Sequence, residues 1–407
     1  MNYKQQLNRN IRLSYLFYFL TGLAFTIPIW VSFTTRILSF SQIALFSAIG
    51  YGATTFLELP TGALADLIGR RKTVILGWII ISAATIYLGF ADSVFDFFIV
   101  ELIIAIGSAL VSGADSALMF DSLKELGKED SFPQYMAKAG LLHRVALAVG
   151  SFTGGYLYQY TIWLPYLMQG IMGLLATILV FLMIEPKIDS EKFSFKSYVK
   201  QTKLGFKQLF KSPYMIKLTI FYTLVGGITW SLIYYFNQPF ATDVGFNEIE
   251  QSWIFGGIYL MISLTLLFLT KSKKLLNRNR VYLGFPIIML LSLLPGLWVK
   301  SALAILVLFG NQLTGSARFA LLDHYTNKEF VSKYRATAIS ALNMLVSIFY
   351  IIIVSISGPI QDSLSTRYIY VGLGVMTLIF VIPSALSLVF EYQNHQKRKA
   401  KALIRKN

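Results

Sequence analysis

Residues 58–74 read Glu58-Leu59-Pro60-Thr61-Gly62-Ala63-Leu64-Ala65-Asp66-Leu67-Ile68-Gly69-Arg70-Arg71-Lys72-Thr73-Val74, and they join two long apolar runs through a short charged turn. The small residues Gly62, Ala63 and Ala65 leave room for close helix approach, and Gly69 supplies a permissive backbone just ahead of three consecutive cations. This is the composition of a tight hairpin between two membrane-crossing helices, its cations on the face where positive charge collects.

Outward from that hairpin the same alternation continues. The chain has 407 residues, 55% of them hydrophobic and 14% charged. Apolar runs long enough to cross a bilayer, about 20 residues, recur from end to end. Cutting at the polar turns predicts twelve spans, at 11–35, 42–64, 73–91, 97–119, 137–158 and 164–184, then 214–240, 251–270, 281–299, 302–322, 334–358 and 368–390. The expected fold class is all-α integral membrane, with one six-helix half at 1–184 and another at 214–391. Between them lies a connector at 185–213, and a basic tail at 392–407 is expected to be disordered. The first apolar run, which lacks a small-residue cleavage site, is expected to be a retained helix rather than a signal peptide.

The formal net charge of +16 sits in short blocks between apolar runs, which points to a membrane and away from nucleic acid. One face collects the N-terminus, the Arg70 turn, Lys124, Lys128, seven lysines between 187 and 211, five cations between 271 and 280, Lys328, Lys333 and six cations between 397 and 406. The other face has Arg36, Lys300 and Arg367, so both termini and the connector are expected in the cytoplasm and the protein in the cell membrane. Lysines alternating with Phe193, Phe195, Tyr198, Leu204, Phe206, Leu209 and Phe210 predict an amphipathic connector helix on the inner leaflet. Without cysteine there is no disulfide, thiolate metal site or cysteine nucleophile, and no metal site is expected. Three histidines, no nucleophile constellation and no phosphate-binding loop leave enzyme activity and direct use of ATP without support.

The pattern Gly-x-Leu-Ala-Asp-x-x-Gly-Arg-Arg-Lys at positions 62–72 resembles the signature between the second and third helices of the major facilitator superfamily. That resemblance implies two parallel six-helix halves working by alternating access. It also implies a conformational latch of Gly62, Asp66, Gly69, Arg70, Arg71 and Asp121, in which Asp66 meets the eleventh helix and Arg70 the acidic end of the fourth. In the fifth helix Ala146, Gly150, Ser151, Gly154 and Gly155 form a small-residue stripe. The stripe is similar to the antiporter signature Gly-Pro-x-x-Gly-Gly, with Ser151 in place of proline. Bacterial drug/proton antiporter-type permeases are thus the members it resembles, although no Arg follows Glu101 where proton-coupled members often carry one. An internal repeat is expected to match Ser112-Gly113-Ala114, Leu118 and Asp121 with Thr314-Gly315-Ser316, Leu321 and Asp323, and Tyr135-x-Ala137-x-Ala139 with Tyr334-x-Ala336-x-Ala338. The second hairpin, around Arg278 and Arg280, keeps cations without the Asp and Gly, which predicts a reduced role.

Charge inside a bilayer marks mechanism. Glu58 lies on the same side of the second helix as Asp66, near its basic end. Asp115 lies six residues before Asp121, roughly 9 Å deeper, and Arg144, seven residues into the fifth helix, reaches a similar depth. Asp115 and Arg144 are expected to pair, or to line a water-filled cavity, and to couple protons, with Glu58 as the alternative proton site. The substrate cavity is expected between the first, fourth, seventh and tenth helices, with Tyr15, Tyr18, Phe25, Trp30, Trp230, Tyr234, Tyr235, Asn237, Asn311, Gln312 and Arg318, and Asn343 of the eleventh. Aromatic, weakly charged walls suit an amphipathic organic molecule better than a sugar. The expected function is therefore proton-coupled export of amphipathic compounds including drugs, by a monomer whose partners are a small-molecule substrate, protons and the bilayer. Uptake of a small nutrient by symport, and a non-transporting receptor or scaffold, are the alternatives.

Overall fold

The structure, a computed structural model, describes residues 2–187, 195–271, 277–331 and 335–404, and at some helical positions, Asp66, Ala336, 195–199 and 395–404 among them, the backbone alone. All regular structure among them is helical. The first half holds α1 (Tyr3–Thr21) with short α2 (Trp30–Thr34), then α3 (Phe40–Ile68) and α4 (Arg70–Leu88). Next come α5 (Val94–Val111) continued by α6 (Ala114–Glu125), α7 (Phe132–Tyr160) and α8 (Leu164–Phe181). After α9 (Phe195–Leu209) the second half holds α10 (Pro213–Ser231) with α11 (Asn237–Val244), α12 (Glu248–Lys271) and α13 (Arg278–Leu293). It ends with α14 (Ser301–Ala317) and α15 (Asp323–Asn327), α16 (Arg335–Ser363), and α17 (Thr366–Met376) with α18 (Ile382–Ile404). Taken as continuous rods, these are the twelve spans read from the sequence.

Among the described residues nine helices are long and apolar enough to cross a membrane. The rods of α1, α7 and α14 fall short for physical reasons. Lys4, Arg9 and Arg12 sit on α1, Lys138 and Arg144 on α7, and α14 gives way at Arg318 to a π turn, Arg318–Leu322. Two further π turns, Leu232–Phe236 and Thr377–Val381, interrupt rods of the second half.

Caps set where the helices begin. Ser39 with Gln42, and Ser93 with Asp96, form reciprocal capping boxes at α3 and α5, and Ser212 caps α10 ahead of Pro213. An Asn2–Gln5 box starts α1 at Tyr3, eight residues before the apolar run, and α7 likewise starts at Phe132. Amphipathic helix ends are invisible to a search for apolar runs. The tail after Tyr392 is also helical, through Ile404, contrary to the expected disorder. Its Lys, Arg, Ala and Gln are good helix formers, and it contains no Gly or Pro.

The chain forms two compact units, Met1–Ser194 with Phe246–Ser263, and Phe195–Gly245 with Leu264–Asn407. In the first, α4 packs between α5 and α8 through residues too small to hold the backbones apart. A Cβ on Gly77 would lie 2.8 Å from the Gly107 carbonyl, and one on Gly107 would lie 2.9 Å from that of Gly77. On the other side of α4, a Cβ on Gly170 would lie 2.8 Å from the Ser82 carbonyl. The start of α12 joins this unit at the end of α7. Ser252 Oγ accepts from the Gly155 N–H at 2.8 Å, Trp253 Nε1 donates to Tyr156 Oη at 2.9 Å, and the Phe152 and Trp253 rings meet at 5.2 Å. In the second unit α10 is the most enclosed helix, with Leu218, Phe221, Val225 and Ile228 wholly buried. The connector helix α9 lies on α16, where Leu209 is buried and a Cβ on Gly205 would be 2.7 Å from the Thr337 carbonyl.

The Gly77–Gly107 approach makes a stability prediction. Gly77→Val overfills a backbone contact and is expected to destabilise the first unit by about 1 to 3 kcal/mol, seen as a lower melting temperature in detergent. An unchanged melting curve would mean that α4 and α5 have room to part.

Candidate functional site

The turn between α3 and α4 is built on Gly69, whose φ of +97° is favourable only for glycine. This conformation ends α3, where the Gly69 N–H bonds Ala65 O, and points the free N–H groups of α4 outward. Glu185 occupies that N-terminus: its two carboxylate oxygens accept from the N–H groups of Arg70 at 2.8 Å and Arg71 at 2.9 Å, the favoured place for an anion. A Cβ on Gly69 would lie 3.0 Å from that carboxylate, a second reason for glycine. Arg71 turns the other way and closes the end of α8, donating to Val180 O at 3.1 Å and Phe181 O at 2.6 Å. Arg70 Nη1 meets Asp121 Oδ2 on α6 at 2.7 Å.

Of the other residues singled out at this end, Gly62 has open space in front of it, so no contact within the described structure demands a small residue there. The Asp66 side chain lies outside the described residues. Glu58 is exposed and accepts from Ser112 Oγ at 2.7 Å. Glu185 was not singled out by the sequence, because its partners are more than a hundred residues away. The signal available was an acid directly after the apolar run of α8.

Asp115 stands one residue into α6, after the break at Gly113 with φ +75°. It accepts from Tyr18 Oη at 3.0 Å and from the Ser116 N–H at 2.6 Å. The expected ion pair with Arg144 is not formed; among the described residues the ion pairs are Arg70–Asp121, Lys217–Glu391 and Arg278–Glu329. Equal depth did not put the two side chains on facing surfaces. Arg144 instead leaves its Nε buried without a partner. Glu101 is a further intramembrane carboxylate, packed so closely on α3 that a Cβ on Gly50 would collide with it.

The second unit repeats this arrangement. Arg278, the first residue of α13, pairs with Glu329, and Tyr222 Oη donates to Asp323 at 2.5 Å. The steps from 70 to 278, from 121 to 329 and from 115 to 323 are equal. This corrects the register expected from the Thr-Gly-Ser match: Asp323 answers to Asp115, and Glu329 to Asp121. Arg278 also meets Tyr214 Oη at 3.2 Å and the rings of Tyr325 and Tyr392, so this hairpin keeps its contacts without the Asp and Gly of the first. Tyr334 lies outside the described residues.

The expected cavity residues divide. Phe25 is buried in a cluster with Leu23 and Ala146. Asn237, Asn311 and Gln312 are buried and turned toward one another: Asn237 Oδ1 accepts from Tyr370 Oη at 2.8 Å and Asn311 Nδ2 at 3.5 Å, while Asn237 Nδ2 donates to Gln312 Oε1 at 3.4 Å. Tyr235 is buried, and Tyr15 stacks on Tyr135 beneath Lys138. Trp30 and Asn343 are half-buried, whereas Trp230 and Tyr234 meet edge to face at 6.1 Å with Tyr234 exposed. Arg318 is fully buried against Trp230. In the stripe, Ala146 and Ser151 are buried, while Gly150 and Gly154 abut the backbone of Leu23, Ala24 and Phe25 in the loop after α1 rather than a helix.

The sequence profile of the Major Facilitator Superfamily matches residues 13–247 and 219–406. The chain belongs to the major facilitator superfamily. It is similar to the Bacillus subtilis (strain 168) "Uncharacterized MFS-type transporter YxaM", 28% identical over 263 residues, covering 62% of this chain and 64% of that one. It is also similar to "Multidrug resistance protein 2" of the same organism, 25% identical over 230 residues, covering 54% and 55%. The match thus spans between about half and two thirds of these relatives' length. In structure it resembles the nucleoside transporter NupG, with a TM-score of 0.71 over 95% of this chain and 99% of that one at 15% identity, a likeness of fold alone. The fold is therefore the superfamily's all-helical, multi-pass membrane fold of two six-helix halves.

The separate surroundings of Asp115 and Arg144 are testable by a double-mutant cycle. Asp115→Asn and Arg144→Leu are expected to be additive in stability within about 0.5 kcal/mol. Asp115→Asn and Tyr18→Phe, which share a charge-assisted hydrogen bond, are expected to couple by about 1 kcal/mol or more. Strong coupling in the first cycle would restore the ion pair.

Proposed function

We propose that this transporter works by alternating access and exports amphipathic organic compounds in exchange for protons. The observation that carries the reading is Asp115, an intramembrane carboxylate held by a tyrosine hydroxyl and a backbone N–H, with no cation paired to it among the described residues. Such a group takes up and releases a proton without having to break an ion pair. Its repeat in the second unit, Asp323 with Tyr222, sits beside Arg318, so the two halves offer unequal proton sites. Export is supported by the similarity to Multidrug resistance protein 2, and an amphipathic substrate by the half-buried and exposed aromatics Trp30, Trp230 and Tyr234.

The Arg70–Asp121 and Arg278–Glu329 pairs are the latches of this cycle, one in each half. We assign the lysine-rich loops of each half, and both termini of a monomer in the cell membrane, to the cytoplasm. The connector α9 contributes Lys200, Lys203 and Lys207 toward anionic headgroups, alongside exposed Phe210.

Inverted membrane vesicles test the reading. A lipophilic dye is expected to accumulate when the lumen is made acidic and to leak out when a protonophore is added. Asp115→Asn is expected to lose the pH-driven accumulation while retaining exchange of labelled for unlabelled dye. Accumulation by Asp115→Asn with an unaltered pH dependence would remove Asp115 from the proton path, and no dye movement in wild-type vesicles would remove the export reading.

A further inference from the structure

Arg318 is wholly buried, and its Nε, Nη1 and Nη2 all lack a hydrogen-bond partner. A guanidinium has five donors in a fixed fork, and leaving all of them unanswered inside a protein carries a large penalty. What surrounds it is aromatic. Its central carbon stands 4.3 Å from the Phe319 ring centroid, 5.2 Å from Trp230 and 5.3 Å from Tyr222, and a Cβ on Gly226 would come within 3.0 Å of Nη1. Cation–π attraction from three faces offsets part of the desolvation but satisfies no N–H. Asp323, five residues on, is engaged by the Tyr222 hydroxyl and forms no ion pair with Arg318. Trp230 Nε1 is a further buried donor without a partner. The Asp323 carboxylate is near enough to interact electrostatically with Arg318, yet the guanidinium N–H groups and Trp230 Nε1 remain without a hydrogen-bond acceptor among the described residues.

The internal repeat places no charge at the answering position. By the register of the Arg278–Glu329 and Tyr222–Asp323 contacts, the position in the first half that answers to Arg318 is Leu110, a buried leucine. Arg318 also opens the π turn Arg318–Leu322, an interruption of the kind that clusters at functional sites.

We propose that Arg318 and its aromatic surround are the anion-binding subsite of this transporter, and that its substrate is an amphipathic organic oxyanion. The carboxylate or phosphate oxygens pair with the guanidinium fork and Trp230 Nε1, and the apolar body lies against the rings. Phe319 and Tyr234, 48% and 52% exposed, form the outer wall that an incoming ligand displaces. The proposal rests on the transporter reading above and narrows its substrate class.

Thermal unfolding of the purified full chain in detergent tests it apart from transport. The probes are 3-phenylpropionate, phenyl phosphate and the uncharged 3-phenylpropionamide, each at millimolar concentration. One or both anions are expected to raise the melting temperature and the amide not to; which anion binds better separates a carboxylate from a phosphate ligand. Arg318→Leu, which installs the first half's residue, is expected to melt at or above the wild-type temperature and to lose the anion response. Arg318→Lys, which cannot offer two parallel N–H bonds, should weaken binding about tenfold. No response to either anion, an equal response to the amide, or an anion response surviving in Arg318→Leu overturns the proposal. Lower stability of ligand-free Arg318→Leu would make the arginine structural and overturn it too. Proton-driven dye export without anion binding would leave the export reading standing and sink this one; anion binding without it would do the reverse.

Discussion

Hydrocarbon offers no hydrogen bonds, so a polar group carried between the two faces of this protein is costly unless another group answers it; nitrogens of Arg144, Arg318 and Trp230 go without a partner among the described residues. The helices follow from that demand, since they alone satisfy a spanning backbone within one segment. So does the placement of charge. Arg70 goes to Asp121, Arg71 to carbonyls at the end of α8, and Glu185 to the N–H groups that α4 leaves free. Three helix ends and a connector are tied together at one turn, and the turn exists because Gly69 adopts a φ that other residues avoid.

The same economy appears in the second unit with different residues. A helix-starting arginine meets an acid after the tenth span, and a tyrosine hydroxyl meets an aspartate within it. Duplication conserves the contacts while the letters drift, as Glu329 in place of aspartate shows. The halves part company at cations with unpartnered nitrogens, Arg144 in the first and Arg318 in the second, and at the π turns, which among the described residues all lie in the second.

Much of this was legible in the sequence, because apolar runs of span length are the strongest signal that a chain can carry. The twelve rods and the hairpin at Gly69 come from that signal. Helix ends were not legible: α1 begins among Tyr3, Lys4 and Gln5, where caps decide and hydropathy is silent. Nor was facing. Asp115 and Arg144 share a depth but not a surface, and Asn237, Asn311 and Gln312, polar enough to suggest a lining, close on one another and on Tyr370. Helical spacing gives height along an axis; only packing gives the partner. The repeat register failed because small residues such as Thr-Gly-Ser recur by chance, whereas charged contacts recur at a fixed step.

The reciprocal approach of Gly77 and Gly107 constrains how the protein moves. Two backbones that touch at a glycine pair interlock like cogs, and sliding one helix along the other would drive side chains such as Val111 and Ile81 into main chain. With Gly170 and Ser82 doing the same on the opposite side of α4, the helices α4, α5 and α8 behave as one stiff plate. Strain applied at the Gly69 turn is then not absorbed locally as shear. Displacing that turn would move the three helices together, so its reach is set by their length rather than by the size of the turn.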